Sequence, residues 1–192
     1  MGQHKLIFTG PVGAGKTTAI GSISDEPPVR TDEAATDMTK DRKPETTVAL
    51  DYGVMHLPGG EKLHLYGTPG QERFDFMWDI LSTGGIGLMV LINNNRPDPI
   101  KDLTFFLQRF DKLIRSTAVA IGVTQTDLKD EPCLNDYHLV LHKLDIRAPV
   151  FEVDARSRTD VSLLVQSLLF SLDPGLSIED DEEENHVEFK TA

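Results

Sequence analysis

The sequence lacks the features that build disulfide frameworks, multi-cysteine metal sites or membrane spans. Its single cysteine, Cys133, excludes an intramolecular disulfide and a metal site made of several cysteines. No apolar run reaches the roughly 18 residues that a membrane helix needs, and the first residues do not have the shape of a signal peptide. The end of the sequence carries no cysteine for prenylation. We therefore expect a cytoplasmic protein without a disulfide or a membrane anchor.

Basic residues are scarce relative to acidic ones. The 192 residues include 19 Lys and Arg against 31 Asp and Glu, which gives a net charge of −12. This balance argues against binding nucleic acid through general electrostatics. Six of the acids form one run over residues 179–184, and such a run repels itself and is typical of a solvated, disordered segment. We predict one domain over residues 1–175 and an acidic, disordered tail over 176–192. The tail is interpreted as solubilising, with docking to a basic partner as the alternative.

Segments typical of strands alternate with segments typical of helices. The predicted strands are 6–9, 48–56, 61–66, 87–92, 118–123 and 150–153. The predicted helices are 16–23, 73–81, 97–115, 134–144 and 161–172. This alternation predicts a three-layer α/β fold, in which helices cover both faces of a mostly parallel sheet. Residues 57–60 (Leu-Pro-Gly-Gly) predict a hairpin between the second and third strands, so that the six-stranded sheet has one antiparallel edge strand.

The clearest motif is a phosphate-binding loop. Residues 10–17 (Gly-Pro-Val-Gly-Ala-Gly-Lys-Thr) match the pattern G-x-x-x-x-G-K-[ST] in full, between a predicted strand and a predicted helix. Glycines let the backbone approach phosphates with its N–H groups pointing inward. Lys16 is expected to reach the β and γ oxygens of a nucleotide, and Thr17 to offer its hydroxyl to Mg²⁺. The predicted nucleotide-binding residues of this segment are Gly10, Val12, Gly13, Ala14, Gly15, Lys16, Thr17 and Thr18.

Later motifs resemble those of Ras-like small GTPases. Residues 67–74 (Gly-Thr-Pro-Gly-Gln-Glu-Arg-Phe) are similar to the second switch of that family, and residues 46–51 (Thr-Thr-Val-Ala-Leu-Asp) to its first switch. Two later segments follow predicted strands at the places where the family binds guanine. They are residues 124–127 (Thr-Gln-Thr-Asp) and 154–156 (Asp-Ala-Arg). The sequence Gly-Thr-Pro-Gly-Gln at residues 67–71 resembles that of bacterial Ras-like GTPases, the group that contains the gliding and polarity switch proteins. The resemblance covers about residues 5–172.

The resemblance implies a switch protein that binds and slowly hydrolyses GTP, with Mg²⁺ as cofactor and GDP as the second bound nucleotide. Thr47 would close over the metal and the γ-phosphate, and the Gly70 backbone N–H would sense the γ-phosphate. Gln71 would orient the attacking water and is the candidate catalytic residue. Asp127 would accept two hydrogen bonds from guanine. The other residues implied at the base are Thr124, Gln125, Ala155, which would offer its backbone N–H, and Arg156.

The same resemblance implies the partners. A protein effector would bind one nucleotide state, and a roadblock-fold protein is the expected regulator, as in bacterial polarity systems. Exposed aromatic residues of the second switch would contact the effector, although packing of Phe74, Phe76 and Trp78 onto the core is the simpler interpretation for at least two of them. A non-catalytic guanine-nucleotide scaffold and an ATP-binding P-loop protein are the alternatives.

The sequence departs from the family pattern at the magnesium site. Gly67 stands where the family has an aspartate, and glycine offers no ligand. If His56 pairs with Lys62 across the hairpin, counting back along both strands places Asp51 opposite Gly67. Directly opposed side chains lie about 4.5–5.5 Å apart. We therefore predict that Asp51 reaches across the missing side chain and holds a magnesium-bound water.

Two further departures concern hydrolysis and the base. Val12 replaces a common glycine and would obstruct an arginine entering from an activating protein. Acceleration would then come from a partner that repositions Gln71, or from an internal arginine such as Arg42 or Arg73. Asn and Lys, which usually open the guanine motif, are replaced by Thr124 and Gln125, which predicts weaker binding of guanine.

Overall fold

The structure is a computed structural model that describes residues 3–30, 50–71 and 75–172. Within these residues the strands are β1 (Gln3–Thr9), β2 (Val29–Arg30), β3 (Asp51–His56), β4 (Lys62–Gly67), β5 (Gly87–Asn93), β6 (Ala118–Thr124) and β7 (Val150–Glu152). They form one sheet in the order β2-β3-β4-β1-β5-β6-β7. From β4 to β7 all neighbours are parallel, whereas β3 runs antiparallel to β4. The predicted α/β fold with six strands and one antiparallel strand is confirmed, and the two-residue β2 extends its edge.

The helices cover both faces of the sheet, as predicted. They are α1 (Lys16–Ile23), α2 (Asp75–Ser82), α3 (Pro99–Arg109), α4 (Asp111–Ser116), α5 (Leu134–Lys143) and α6 (Arg158–Leu172). Helices α1 and α6 pack with one set of strand side chains in a first buried cluster. The opposite face carries a second cluster, to which α2, α3, α4 and α5 contribute. Alternate side chains of each central strand point to opposite faces of the sheet. The sheet is therefore packed between two buried clusters, one on each face.

The single helix predicted over residues 97–115 is wrong. Phe110 separates α3 from α4, with φ −100° and ψ 14°, outside the helical region. Its ring is buried and stacks on Trp78, with centroids 5.6 Å apart. Both helices face the same core, so the apolar rhythm continues across the break and does not reveal it. Helix α6 begins at Arg158, earlier than predicted, since the Ser157 hydroxyl accepts the Asp160 N–H at 3.2 Å.

Several predictions fall on residues outside the described ranges. They concern Thr47, Arg42, Arg73 and Phe74, together with the boundary at residue 175 and the acidic tail. Among the described helices, none has the length and apolar character to cross a membrane.

Candidate nucleotide-binding site

The phosphate loop connects β1 to α1 at the carboxyl end of the parallel strands. Gly10 has φ +139°, and a Cβ placed there would lie 2.0 Å from the carbonyl oxygen of Leu91 on β5. Only glycine fits this position, because both the backbone conformation and the contact exclude a side chain. The loop therefore lies directly against the neighbouring strand, at the edge where α/β sheets bind ligands.

The lysine of the motif is enclosed by its own loop. The Lys16 side chain is buried, and its Nζ donates to the carbonyl oxygens of Gly10 at 2.8 Å and Pro11 at 2.9 Å. Burial disfavours the charged ammonium and lowers the pKa of Lys16 to about 8. The nearby Asp51 carboxylate acts in the opposite direction, and the Arg96 guanidinium acts in the same direction as burial. A cation held in this way is suited to contact phosphate oxygens.

The predicted hairpin register is confirmed. His56 pairs with Lys62, and Asp51 lies opposite Gly67. The Thr17 hydroxyl at the start of α1 donates to Asp51 Oδ2 at 2.5 Å. A Cβ at Gly67 would lie 3.2 Å from the same carboxylate oxygen and 3.0 Å from the Asp51 Cβ. The missing side chain thus leaves the space in which Asp51 reaches the threonine of the phosphate loop. Hydroxyl and carboxylate oxygens are ligands of the kind that Mg²⁺ takes, so this pair fits a magnesium site.

Gly70 lies against the phosphate loop. A Cβ at this position would be 2.7 Å from the Val12 backbone nitrogen and 2.9 Å from Lys16 Nζ. Gln71, the next residue, is exposed. The segment that carries Gly70 is also bonded to α2, because Trp78 Nε1 donates to the Pro69 carbonyl at 3.0 Å. The structure therefore brings the predicted γ-phosphate sensor to the lysine.

A second group of predicted residues forms a cavity of about 920 Å³ beside α1. Thr124 Oγ1 donates to the Ala14 carbonyl at 3.1 Å, and Gln125 Nε2 donates to the Gly13 carbonyl at 3.5 Å. These contacts tie the loop after β6 to the phosphate loop. The predicted residues that line the cavity are Ala14, Gly15, Thr18, Thr124, Gln125, Asp127, Ala155 and Arg156.

The polar groups of this cavity differ in how they are held. Asp127 is exposed, so its carboxylate is accessible to a ligand. Arg156 forms an ion pair with Asp154 at 2.8 Å, and the hydrogen bonds from Arg156 lower the pKa of Asp154 to about 2. Ala155 is buried and packs on the phosphate loop, since a Cβ at Gly15 would lie 2.9 Å from its own Cβ. The cavity thus combines the buried Ala155 with the exposed carboxylate of Asp127.

Two residues of the site were missed by the sequence analysis. Asn93 Nδ2 donates to the Gly13 carbonyl at 3.2 Å, and Arg96 NH1 donates to the Val12 carbonyl at 3.5 Å. Asn93 is the last residue of β5 and Arg96 lies three residues beyond it, at the ligand-binding edge of the sheet, and this position was the signal that would have found them.

Comparisons with known proteins agree with this geometry. Residues 26–148 match the model of a family described as conserved hypothetical ATP binding proteins. An uncharacterized protein of Methanocaldococcus jannaschii is 28% identical over 130 residues, which cover 67% of this chain and 73% of that protein. The GTP-binding protein YPT1 of Saccharomyces cerevisiae is 26% identical over 162 residues, which cover 82% of this chain and 72% of that protein. The phosphate loop lies outside the stretch that the family model matches, so the motif is independent of that match. The phosphate-loop motif, the family match and the similarity to a GTP-binding protein together identify a P-loop nucleotide-binding protein.

Proposed function

We propose that this chain, which belongs to the family of conserved hypothetical ATP-binding proteins, is a molecular switch that binds GTP and hydrolyses it slowly. The observation that carries the proposal is the contact between Thr17 and Asp51, with Asp51 opposite Gly67. It returns an acidic group to the magnesium side of a phosphate loop whose usual aspartate is missing. The contact supports magnesium-dependent nucleotide binding, and the hydrolysis that distinguishes a switch from a scaffold is proposed from Gln71.

Magnesium would be held by Thr17 directly, by Asp51 through a water, and by Thr47 in the triphosphate state. The metal supplies positive charge against the phosphate oxygens. Of the chain's own groups, Lys16 binds the β and γ oxygens, and the Gly70 backbone N–H donates to the γ-phosphate. Gln71 orients the attacking water. The exposure of Gln71 and the approach of Gly70 to Lys16 support these roles.

Guanine is the proposed base because of Asp127. A carboxylate accepts hydrogen bonds from N1–H and the 2-amino group of guanine, which adenine does not donate together. Gln125 links the base side of the site to the phosphate loop through Gly13, and Ala155 and Arg156 complete the base site. ATP is the second candidate, because the family is described by ATP binding. The missing lysine charge at Gln125 is consistent with weaker selection of guanine.

The proposed cellular role is signalling to a protein effector, in the manner of bacterial Ras-like polarity and motility switches. Val12 is 56% exposed beside Gly70, where an arginine from an activating protein would pass. We therefore propose a roadblock-fold regulator that acts by repositioning Gln71. Phe76, 56% exposed on α2, is the described aromatic residue that an effector would contact.

The first experiment identifies the nucleotide. The purified protein is analysed for bound nucleotide, and binding and turnover of GTP, GDP and ATP are measured with and without Mg²⁺. Slow, magnesium-dependent release of phosphate from GTP is the expected result. Tight GTP binding without any release, also with a roadblock protein added, would indicate the scaffold instead. Preference for ATP would overturn the guanine assignment.

Asp127→Asn tests the base contact directly. Loss of a charge-assisted hydrogen bond costs about 1.5–3 kcal/mol, so GTP affinity should fall by about 10–100-fold. The asparagine amide can instead donate to the 2-carbonyl of xanthine, so affinity for xanthosine triphosphate should rise. Competition binding with the two nucleotides measures both changes. Asp111→Asn, which removes one carboxylate on the surface of α4 away from the cavity, is the matched control, and an equal loss of GTP affinity there would remove the special role of Asp127.

A further inference from the structure

The last residue of β5 and the segment that leads to α3, residues 93–98, are bonded both to the phosphate loop and to the segment after β6. Asn93 bonds the phosphate loop at Gly13, as described above. The next side chain, Asn94, is buried, donates to the Lys129 carbonyl at 2.8 Å and accepts the Tyr137 hydroxyl at 2.6 Å. Asp98 closes the segment by accepting the Lys101 N–H at the start of α3. The backbone is therefore held in one position relative to the loops on either side.

Arg96 lies in the middle of this segment and is oriented by its neighbours. Its Nε donates to Asp102 Oδ2 at 2.5 Å, and its NH1 donates to the Val12 carbonyl at 3.5 Å. The backbone carbonyl of Arg96 accepts Lys129 Nζ at 3.3 Å. The bond to Val12 is long for an N–H···O contact, whereas the bond to Asp102 is short. The guanidinium is thus anchored at Nε, while its terminal nitrogens are held weakly.

The guanidinium faces the phosphate end of the site. It lines a cavity of about 400 Å³ together with Pro11, Val12 and Gly70. Gly70 lies against Lys16 Nζ, so the cavity borders the group that binds the β and γ oxygens. Arg96 contacts the backbone carbonyl of Val12, and the valine side chain, which obstructs entry from outside, does not stand between this internal arginine and the loop.

We propose that Arg96 is the internal cation of nucleotide hydrolysis, supplying from this chain the guanidinium that an external partner cannot insert past Val12. In the reaction the water oxygen bonds to the γ-phosphorus, and the bond from that phosphorus to the β–γ bridging oxygen breaks. The electron pair stays on the β-phosphate, and the water protons leave on inorganic phosphate or pass to solvent. The Arg96 terminal nitrogens exchange the Val12 carbonyl for the phosphate oxygens as this negative charge develops.

The proposal rests on the proposed hydrolysis but not on the choice of base, since Arg96 lies at the phosphate end. A complete arginine finger accelerates hydrolysis by about 10³–10⁵-fold. Asp102 neutralises part of the Arg96 charge, so we expect a smaller contribution of at least tenfold. This size agrees with a switch whose unassisted turnover is slow.

The test compares Arg96→Ala and Arg96→Lys with the wild-type protein and with a control, Arg115→Ala. Arg115 pairs with Asp111 on α4, and the two side chains are about half exposed. Four quantities are measured: GDP affinity, single-turnover hydrolysis of GTP and of ATP, capture of the transition-state analogue GDP with fluoroaluminate, and the melting temperature. Arg96→Ala should keep GDP affinity within about twofold, lose fluoroaluminate capture and hydrolyse at least tenfold more slowly. Arg96→Lys should recover part of the fluoroaluminate capture and part of the hydrolysis rate.

The outcomes separate this inference from the proposed function. If Arg96→Ala keeps the wild-type rate and captures fluoroaluminate, Arg96 has no role in hydrolysis, and the switch proposal stands. A parallel fall in GDP affinity and melting temperature, with rate loss no larger than the loss of binding, would show that Arg96 merely holds the loop. A wild-type protein that hydrolyses neither GTP nor ATP would overturn both proposals.

Discussion

Gly67 has a defined structural consequence, because the space of its missing side chain is taken by Asp51. An added Cβ would lie 3.0 Å from the Asp51 Cβ and from Ile20 Cδ1, so each neighbour would have to shift by a few tenths of an ångström. The glycine and the aspartate act as one unit across the two strands. A change at either position should therefore have the same effect on the magnesium side of the site.

Asp51→Asn is predicted to weaken magnesium binding. The amide keeps the size of the carboxylate but removes its charge, and groups that hold a metal through an intervening ligand typically contribute 10–100-fold in metal affinity. The Mg²⁺ concentration that halves the dissociation rate of bound GDP should rise by at least tenfold. Asp111→Asn, on the surface of α4, is the control, and Gly67→Ala should act like Asp51→Asn. Unchanged magnesium dependence in Asp51→Asn would refute the compensation.

At the level of elements, the break between α3 and α4 serves packing. It turns Phe110 inward onto Trp78, which also contacts Phe106 with centroids 5.4 Å apart. These three aromatic side chains pack α2 into the second buried cluster. Because Trp78 also donates to the Pro69 carbonyl, the loop that carries Gly70 and Gln71 is bonded to the same helix. The loop that contacts the phosphate loop is thus positioned by a helix that is itself firmly packed.

Phe110→Ala should lower the free energy of unfolding by about 3–5 kcal/mol, the range for a buried phenylalanine, because the cavity left behind is incompletely filled. Phe170→Ala is the control, since Phe170 is 41% exposed at the end of α6 and its removal should change stability much less. Urea unfolding of the two variants compares them directly. Equal losses would mean that packing of Phe110 on Trp78 adds no stability beyond that of an exposed phenylalanine.

The elements that the sequence predicted well are those specified by local pattern. Buried strands read as short apolar runs, and the hairpin length alone set the pairing of Asp51 with Gly67. The break at Phe110 was missed because the apolar period does not change there. Arg96 was missed for another reason: its contact with the Val12 carbonyl joins residues that are 84 apart in the sequence, so only its place after β5 pointed to the site.

In the whole molecule, the parallel arrangement from β4 to β7 brings the loops of the site to one edge of the sheet. The phosphate loop, Gly70, Asn93, Gln125 and Ala155 each lie at or just after the carboxyl end of a different strand. This gathering was predictable from the alternation of strands and helices. The distances between the loops could not be predicted, because they depend on side chains such as Thr124 and Asn93, which donate to carbonyls of the phosphate loop.

The proposed site draws on loops that follow several strands of the sheet, so nucleotide bound there should stabilise the whole fold. A ligand present at 100 times its dissociation constant adds about 2.7 kcal/mol to the free energy of unfolding. Melting temperatures should therefore rise with GDP and Mg²⁺, and ATP should produce a smaller rise at equal concentration. An equal rise with ATP and GDP would indicate a site that does not select the base.

Trp78, the single tryptophan of the chain, also has an optical consequence. Its buried indole is bonded to the carbonyl of Pro69, the residue before Gly70. Any movement of this segment changes the surroundings of the chromophore, so we expect the fluorescence of Trp78 to report a nucleotide-dependent change there. Exchange of GDP for a non-hydrolysable GTP analogue should shift or quench the emission. Recording the signal over time would give the exchange and hydrolysis rates without any attached label.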